Sequence, residues 1–282
     1  MALEKVRDIL KEADQNKTAI LAFDAFDYNT IYAAIKGAGA VNKPIIIMLY
    51  PSMNKIISLG TFAATVKDIA REVSVPVGLH LDHCSDYDFI ITAIREGFTS
   101  VMADGSSLPF VDNISFTNSV VKTAKIFDVD VEGELGMVGV AANTDDYFNT
   151  DKYTTPEQAQ IFASETGVAS LAIAIGSAHG VYKEEPKLDI ERLKEIDAAT
   201  SVPLVLHGGS GIPEKQLIEA FKNGINKFNI GTEFFALTAK LSKDFYNDSQ
   251  LSANPLASYS YIRENLQKYI EDKLVLTTMT CR

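Results

Sequence analysis

The chain has 282 residues, 46% of them hydrophobic, and a formal net charge of -11. That length suits one α/β barrel or two smaller domains, and with no shift in composition to mark a linker, residues 1–282 read as a single domain. The acidic balance argues against sequence-independent binding to nucleic acid or to an anionic membrane, whose phosphates select basic faces, and no apolar run approaches the roughly 20 residues of a membrane-spanning helix.

The opening, MALEKVRDILKEA, is charged and amphipathic, unlike a signal sequence, and points to a cytoplasmic protein. Two cysteines, Cys84 and Cys281, are too few for a disulfide framework and read as free thiols. Leu3 to Lys17 predicts an opening helix, with Leu3, Val6, Ile9 and Leu10 at helical spacing. Short apolar runs then alternate with helical patterns. Ala19 to Phe23 precedes a helix over Thr30 to Ala40, and Ile45 to Leu49 precedes one over Thr61 to Val73. Val75 to Leu81, Ser100 to Ala103 and Val129 to Glu134 are the next three runs, with helices at Asp86 to Glu96 and Ile114 to Phe127. Gly136 to Thr155 has the Gly, Asn and Asp content of a loop, and Pro156 opens a helix to Thr166. Ser170 to Ile175, Pro203 to Leu206 and Lys227 to Ile230 complete eight runs, separated by helices Asp189 to Ala199 and Pro213 to Asn223.

Eight such alternations match an α/β fold of the (β/α)8 TIM-barrel type, and near-continuous apolar strands fit a buried parallel sheet; a doubly wound open sheet is the rival. The last forty residues lead through Ser, Asn and Tyr to a helix over Tyr259 to Lys273, read as a C-terminal helical extension across the barrel or a neighbouring subunit.

Three of the four histidines, His83, His179 and His207, fall at or just after the carboxyl ends of the third, sixth and seventh runs. A barrel brings those ends onto one rim, where three imidazoles suit Zn2+ or a similar ion that keeps a position open for substrate. His80 lies inside its strand and reads as structural or supporting. Two glycine-rich turns accompany the histidines, Gly176 to Lys183 and His207-Gly208-Gly209-Ser210-Gly211, and Asn229-Ile230-Gly231-Thr232-Glu233 follows the eighth run. Their backbone N–H groups can approach a phosphate closely, with Lys183 adding charge.

HLDHC, DGS, VEGELG, IGSAHGVYK, VPLVLHGGSGIP and FNIGTE, in this order and spacing, resemble the class II, metal-dependent ketose-bisphosphate aldolases, from Ala22 to about Glu233. The resemblance implies zinc held by His83, His179 and His207, with Glu134 an alternative metal contact and Asp104 near a second metal position. It implies that Asp82 handles the proton on the aldehyde-derived oxygen; from the residues alone Asp82 could equally cap the following turn. It further implies that Gly180, Lys183, Gly208, Ser210 and Thr232 hold the phosphate of dihydroxyacetone phosphate, that Asn229 touches its carbon skeleton, and that a monovalent cation, Na+ or K+, sits nearby. The implied activity is reversible cleavage of fructose 1,6- or tagatose 1,6-bisphosphate to dihydroxyacetone phosphate and glyceraldehyde 3-phosphate, in carbohydrate metabolism such as glycolysis. The implied partners are a small sugar phosphate and further copies of the chain, as a homodimer or homotetramer.

Departures from the family pattern cluster on the aldehyde half. Asp24 stands where Asn is usual, Tyr50 where Ser or Thr is usual, and the loop Gly136 to Ala142 carries no acid before Asp145. Near the C-terminus Asn254-Pro255-Leu256 replaces a common Asp-Pro-Arg. Two alternatives follow: an aldolase of ketose 1-phosphates releasing an unphosphorylated aldehyde, or a sugar-phosphate sensor without turnover. A third possibility is that Asp145 or Asp146 swings in to replace the missing loop acid.

Overall fold

The computed structural model describes residues 3–136 and 138–279; Cys281 lies outside them. Eight strands run β1 (Ile20–Asp24), β2 (Ile45–Leu49), β3 (Val77–Leu81), β4 (Ser100–Ala103), β5 (Asp130–Leu135), β6 (Ser170–Ile173), β7 (Leu204–Leu206) and β8 (Ile225–Ile230). Each pairs in parallel with the next, and β8 pairs with β1 to close the barrel, with Ile20 opposite Lys227 and Phe23 opposite Ile230. The open-sheet rival is thereby excluded. All strand residues are buried, because helices cover one face and side chains fill the barrel on the other.

The helices are α1 (Val6–Gln15), α2 (Tyr28–Ala40), α3 (Leu59–Ala70), α4 (Tyr87–Glu96), α5 (Phe110–Ile126), α6 (Asp145–Phe148), α7 (Pro156–Thr166), α8 (Ile190–Ala199), α9 (Glu214–Lys222), α10 (Thr232–Asn247) and α11 (Ala257–Leu274). Local chemistry sets many of their ends. The side chains of Asp27, Asp86, Thr155 and Asp189 accept the otherwise unpaired N–H groups that open α2, α4, α7 and α8. Gly97 ends α4 with a left-handed residue.

Helix α1 seats beneath the barrel. Val6, Ile9, Leu10 and Ala13 pack with Ile20, Ala22, Ile46 and Met48, and a Cβ on Gly78 would meet Val6 at 2.9 Å, so glycine lets the helix approach the sheet. Arg7 ties this plug to the start of β5 through Asp130, at 2.9 Å.

The structure adds a helix that the sequence pattern did not locate, α10 directly after β8. The 136–155 segment is not loop throughout: it carries α6 and a 3-10 turn at Thr150–Lys152. The predicted terminal helix is α11, packed on α2 and α10 of its own chain, so the extension belongs to the outer helical layer. Strand β6 ends two residues earlier than its apolar run, which frees Ala174 and Ile175 to lead into the loop that carries His179.

Candidate active site

The C-terminal rim of the barrel surrounds a cavity of about 560 Å³. Lining it are Asp82, His83, Asp104, Glu134, His179, Gly180, Gly208, Gly209, Ser210, Asn229, Gly231 and Thr232, twelve of the residues singled out from the sequence. His207 lies fully buried beneath, and its ring meets those of His83 and His179. Lys183 is the exception: it is exposed and does not line the cavity. Asp24, Tyr50, Ser52, Ser106 and Val138 complete much of the wall.

His83 follows β3 in the left-handed region, at φ 39°, a conformation unusual for a residue with a side chain and characteristic of functional turns. Its Nδ1 lies 2.9 Å from Oδ2 of Asp104 and 3.6 Å from Oε2 of Glu134. Its other ring nitrogen, Nε2, lies 2.6 Å from Nδ1 of His207, whose Nε2 in turn lies 3.0 Å from Oε1 of Glu132. The carboxylates Asp104 and Glu132 therefore hold one nitrogen of each ring and leave the remaining two facing each other.

Charge separates the imidazoles. Burial works against a charge on His83, but Asp82, Asp104 and Glu134 outweigh it and raise the group to about 10. Burial and the neighbouring His83 push His179 down to about 3, and His207 is also lowered, chiefly by burial, so both stay neutral with a lone pair to offer. Burial raises Glu134 to about 8 and leaves its Oε2 without a hydrogen-bond partner.

Ligand atoms of His83, His179 and His207 lie within 4.8 Å of one another, as do those of His83, Asp104 and Glu134. This donor set fits a zinc-type ion on three grounds: three imidazoles converge, two of them neutral and the third, His83, able to give up its proton for the ion; carboxylates fix His83 and His207 from behind; and an unpartnered carboxylate oxygen of Glu134 faces the same space.

Asp82 sits beside these groups, its Oδ1 accepting a hydrogen bond of 2.9 Å from the amide of Asn229. Although burial favours its neutral form, His83, His207 and Lys227 hold it below the ordinary carboxylate range. Asp24 behaves in the opposite way: burial and the charge of Asp82 raise it well above that range, and its Oδ1 has no partner. Two neighbouring carboxyl groups are thus pushed apart in proton affinity, a pattern that distinguishes an acid from a base.

The opposite wall is backbone. Gly208 has φ 66° and a Cβ there would strike the backbone of Ala178, so no other residue fits without moving the turn. The hydroxyl of Tyr182 donates to the Gly208 carbonyl and accepts from the Ala178 N–H, 2.7 Å each, clamping the two glycine turns together. Gly231 precedes α10, a 16-residue helix whose Glu233 N–H donates to the Ser210 hydroxyl at 3.4 Å, and its positive dipole end lies beside Gly231, Thr232 and Ser210 of the cavity lining, where it can receive an anion.

Of the layer below, the sequence reading assigned His80 a supporting place and missed Lys227 and Glu132. Lys227, Glu132 and His80 are fully buried inside the barrel and bonded to one another or to Ser100 and Ser170. The signal was present as ionisable residues within apolar strands, in DVEGEL and INKFNI. Asp145 and Asp146 are held by Lys152 at 2.6 and 2.9 Å, and neither lines the cavity.

The family profile described as fructose-bisphosphate aldolase class-II matches residues 4–280. Among solved structures, the YdjI aldolase from Escherichia coli K12 is 31% identical, with 97% of each chain covered and a TM-score of 0.87. A putative fructose-1,6-bisphosphate aldolase from Coccidioides immitis is 26% identical over 96% of this chain and 95% of its own, with a TM-score of 0.86. Fructose-bisphosphate aldolase from Campylobacter jejuni, 23% identical over 98% of this chain and 95% of its own, shares the fold, with a TM-score of 0.84. With its profile match across almost the whole length and its rim of imidazoles and carboxylates, the chain belongs to the class-II fructose-bisphosphate aldolase family and is an aldolase.

Proposed function

We propose that this aldolase reversibly cleaves a ketose phosphate into dihydroxyacetone phosphate and an aldehyde, using Zn2+ held by His83, His179 and His207. The observation that carries the reading is the close approach of His83 and His207, each fixed from behind by a carboxylate. Glu134 and Asp104 stand ready as further metal contacts. When bound, the ion supplies the Lewis acidity that a carbanion beside a ketone needs in the absence of a Schiff-base lysine.

The protein's own groups do the rest. Asp82, kept ionised, takes the proton from the hydroxyl whose carbon becomes the aldehyde, and returns it in the condensation direction. Asn229 holds Asp82 in place through its amide and presents its remaining surface to the carbon skeleton. The backbone of Gly180, Gly208, Gly209 and Gly231, with Ser210, Thr232 and the N-terminus of α10, receives the phosphate. The exposed Lys183 would reach it only after its loop closes over the cavity. A monovalent cation beside that phosphate, and assembly into a homodimer or homotetramer, complete the proposal.

One observation favours a ketose 1-phosphate over a bisphosphate. No lysine or arginine lines the cavity among the described residues, so a single chain offers no cation to a second phosphate. Tyr50, Ser52, Met53 and Val138, which also line the cavity, are uncharged. Measuring kcat/KM for fructose 1,6-bisphosphate and fructose 1-phosphate with the zinc-loaded protein tests both layers. Cleavage of either substrate that is lost on chelation supports the metal-dependent aldolase, and a strong bisphosphate preference sinks the 1-phosphate reading. Binding of dihydroxyacetone phosphate without any turnover would instead bring forward a sensor.

A further inference from the structure

A TIM barrel normally fills its interior with branched apolar side chains. Here the layer beneath the cavity is ionic. Lys227 of β8 and Glu132 of β5 are both completely buried, and Lys227 Nζ donates to both carboxylate oxygens, at 3.0 and 2.9 Å. Ser170 of β6 donates to Oε2 at 3.0 Å, and His207 meets Oε1 at 3.0 Å. His80 stands on the other side, its Nδ1 against Ser100 at 2.8 Å and its Nε2 without a partner 4.0 Å from Glu132.

Burying two charges is costly, and a well-packed apolar pair at such a position is often as stable or more so. A lysine and a glutamate placed here need a reason other than stability. Among the described residues Glu132 is the bonded partner of the His207 Nε2, and three bonds from Lys227 and Ser170 fix where its carboxylate lies. Free of Lys227, the carboxylate could turn about its terminal bond, and His207 could then exchange tautomers.

We propose that Lys227 is a positioning residue that acts through Glu132: it pins the carboxylate so that His207 keeps its proton on Nε2 and its lone pair on Nδ1, facing His83. The inference rests on the reading of His207 as a metal ligand. Lys227 touches neither substrate nor metal in this scheme, and its effect is transmitted by one carboxylate.

The test uses the full-length protein with three variants: Lys227→Met, which preserves the length of the apolar stem, Glu132→Gln, and the two combined. Zinc affinity is read by competition with a chromophoric chelator, ligand geometry by the visible absorption of the Co2+ form, and folding by urea denaturation of the metal-free protein. Lys227→Met leaves Glu132 buried without its counter-charge, so it loses stability as well as zinc affinity, the latter by about 10- to 100-fold, the usual effect of removing a group that orients a ligand. The double variant removes both charges. It regains metal-free stability, yet still binds zinc about 10- to 100-fold more weakly, with an altered Co2+ spectrum.

A merely structural pair gives a different result: the double variant would recover wild-type zinc affinity together with stability, and that outcome overturns the proposal. So does Lys227→Met with wild-type affinity and an unchanged Co2+ spectrum. If the wild-type protein itself fails to bind zinc, the reading of the histidines has failed rather than the role of Lys227. Should Lys227→Met not fold, the double variant and Glu132→Gln, in which the charge conflict is absent or reversed, still decide the question.

Discussion

Nε2 of His83 stands 2.6 Å from Nδ1 of His207, and the other nitrogen of each ring is held by a carboxylate. A hydrogen bond of this length puts a proton between the two ring nitrogens, and an ion ligated by both would have to take its place. The site therefore chooses between those two occupants, and metal binding must release a proton. Because Asp82, Asp104 and Glu134 raise His83 to about 10, zinc affinity falls as pH drops from 9 to 6. Isothermal titration in buffers of different ionisation enthalpy checks both the proton release and its pH dependence.

Metal removal is expected to abolish cleavage by on the order of 10³-fold, the scale of several kcal/mol of lost charge stabilisation. The reaction to follow is hydrogen–deuterium exchange at the prochiral carbon of dihydroxyacetone phosphate in D2O, by NMR, before and after chelation. Exchange that persists in the presence of a strong chelator would contradict the metal assignment without requiring the aldehyde to be known.

The carboxyl pair Asp24 and Asp82 should respond to the same substitution in opposite ways. Asp82→Asn removes the base and lowers kcat by about 10²- to 10⁴-fold. Burial and the charge of Asp82 raise Asp24 towards the neutral form that an asparagine mimics, so Asp24→Asn is the milder change and kcat/KM stays within about tenfold, the scale of one neutral hydrogen bond. Stability supplies the sign. The folded protein binds a proton at Asp24 that the unfolded chain has released, so wild-type stability falls relative to Asp24→Asn as pH rises from about 4 towards the raised value. Urea denaturation of both proteins across that range measures the divergence; a constant difference would show that Asp24 is ionised in the fold.

Arg7 anchors the helix beneath the barrel through Asp130 and Asp128, at 2.9 and 2.8 Å. Burial raises Asp130 while Arg7 pulls it down, and hydrogen bonds from Arg7 and Lys5 lower Asp128. Without Arg7 both carboxyl groups move up, so Arg7→Ala costs more at pH 7 than at pH 4. The difference shrinks as pH falls through the carboxylate range, where both forms become protonated. The Arg7–Asp130 contact, half open to solvent on the arginine side, is worth about 1 kcal/mol at pH 7. Denaturant midpoints of the two proteins at both pH values test it.

Gly209→Ala is expected to disrupt the phosphate wall, because a Cβ there runs directly into the ring of Phe228. Phe228 is buried against Phe221 and cannot yield without moving α9. A cost of about 1–3 kcal/mol in stability follows from overpacking, together with weaker binding of inorganic phosphate, read by calorimetry. Gly180→Ala is the matched control for space, since nothing lies within 4 Å of its Cβ position, although its φ of 108° still strains the turn.

Much of this protein is written in short-range pattern. Eight apolar runs, capping residues such as Asp86 and Thr155, and glycines after strands are local features, and the barrel follows because parallel strands with intervening helices have few ways to bury both faces. The histidines were legible for the same reason: position at a strand end is a property of the sequence, and closing the barrel converts it into position on a rim. Helix α10 escaped because Thr232 and Glu233 read with the glycine turn that follows the eighth run, and the helix start has no capping side chain.

What only the tertiary structure decided is which partners meet across the barrel. Glu132 and Lys227 are 95 positions apart and bond because β5 and β8 point these side chains into the same interior. Asp24 and Asp82 acquire opposite proton affinities from burial and mutual repulsion, which no local window contains. Lys183 falls outside the cavity because the loop after β6 carries it outward past Gly180, whereas its motif alone places it beside the phosphate turns. Periodicity determines the scaffold and where chemistry can sit; charge, burial and distance between remote strands determine which groups carry it out.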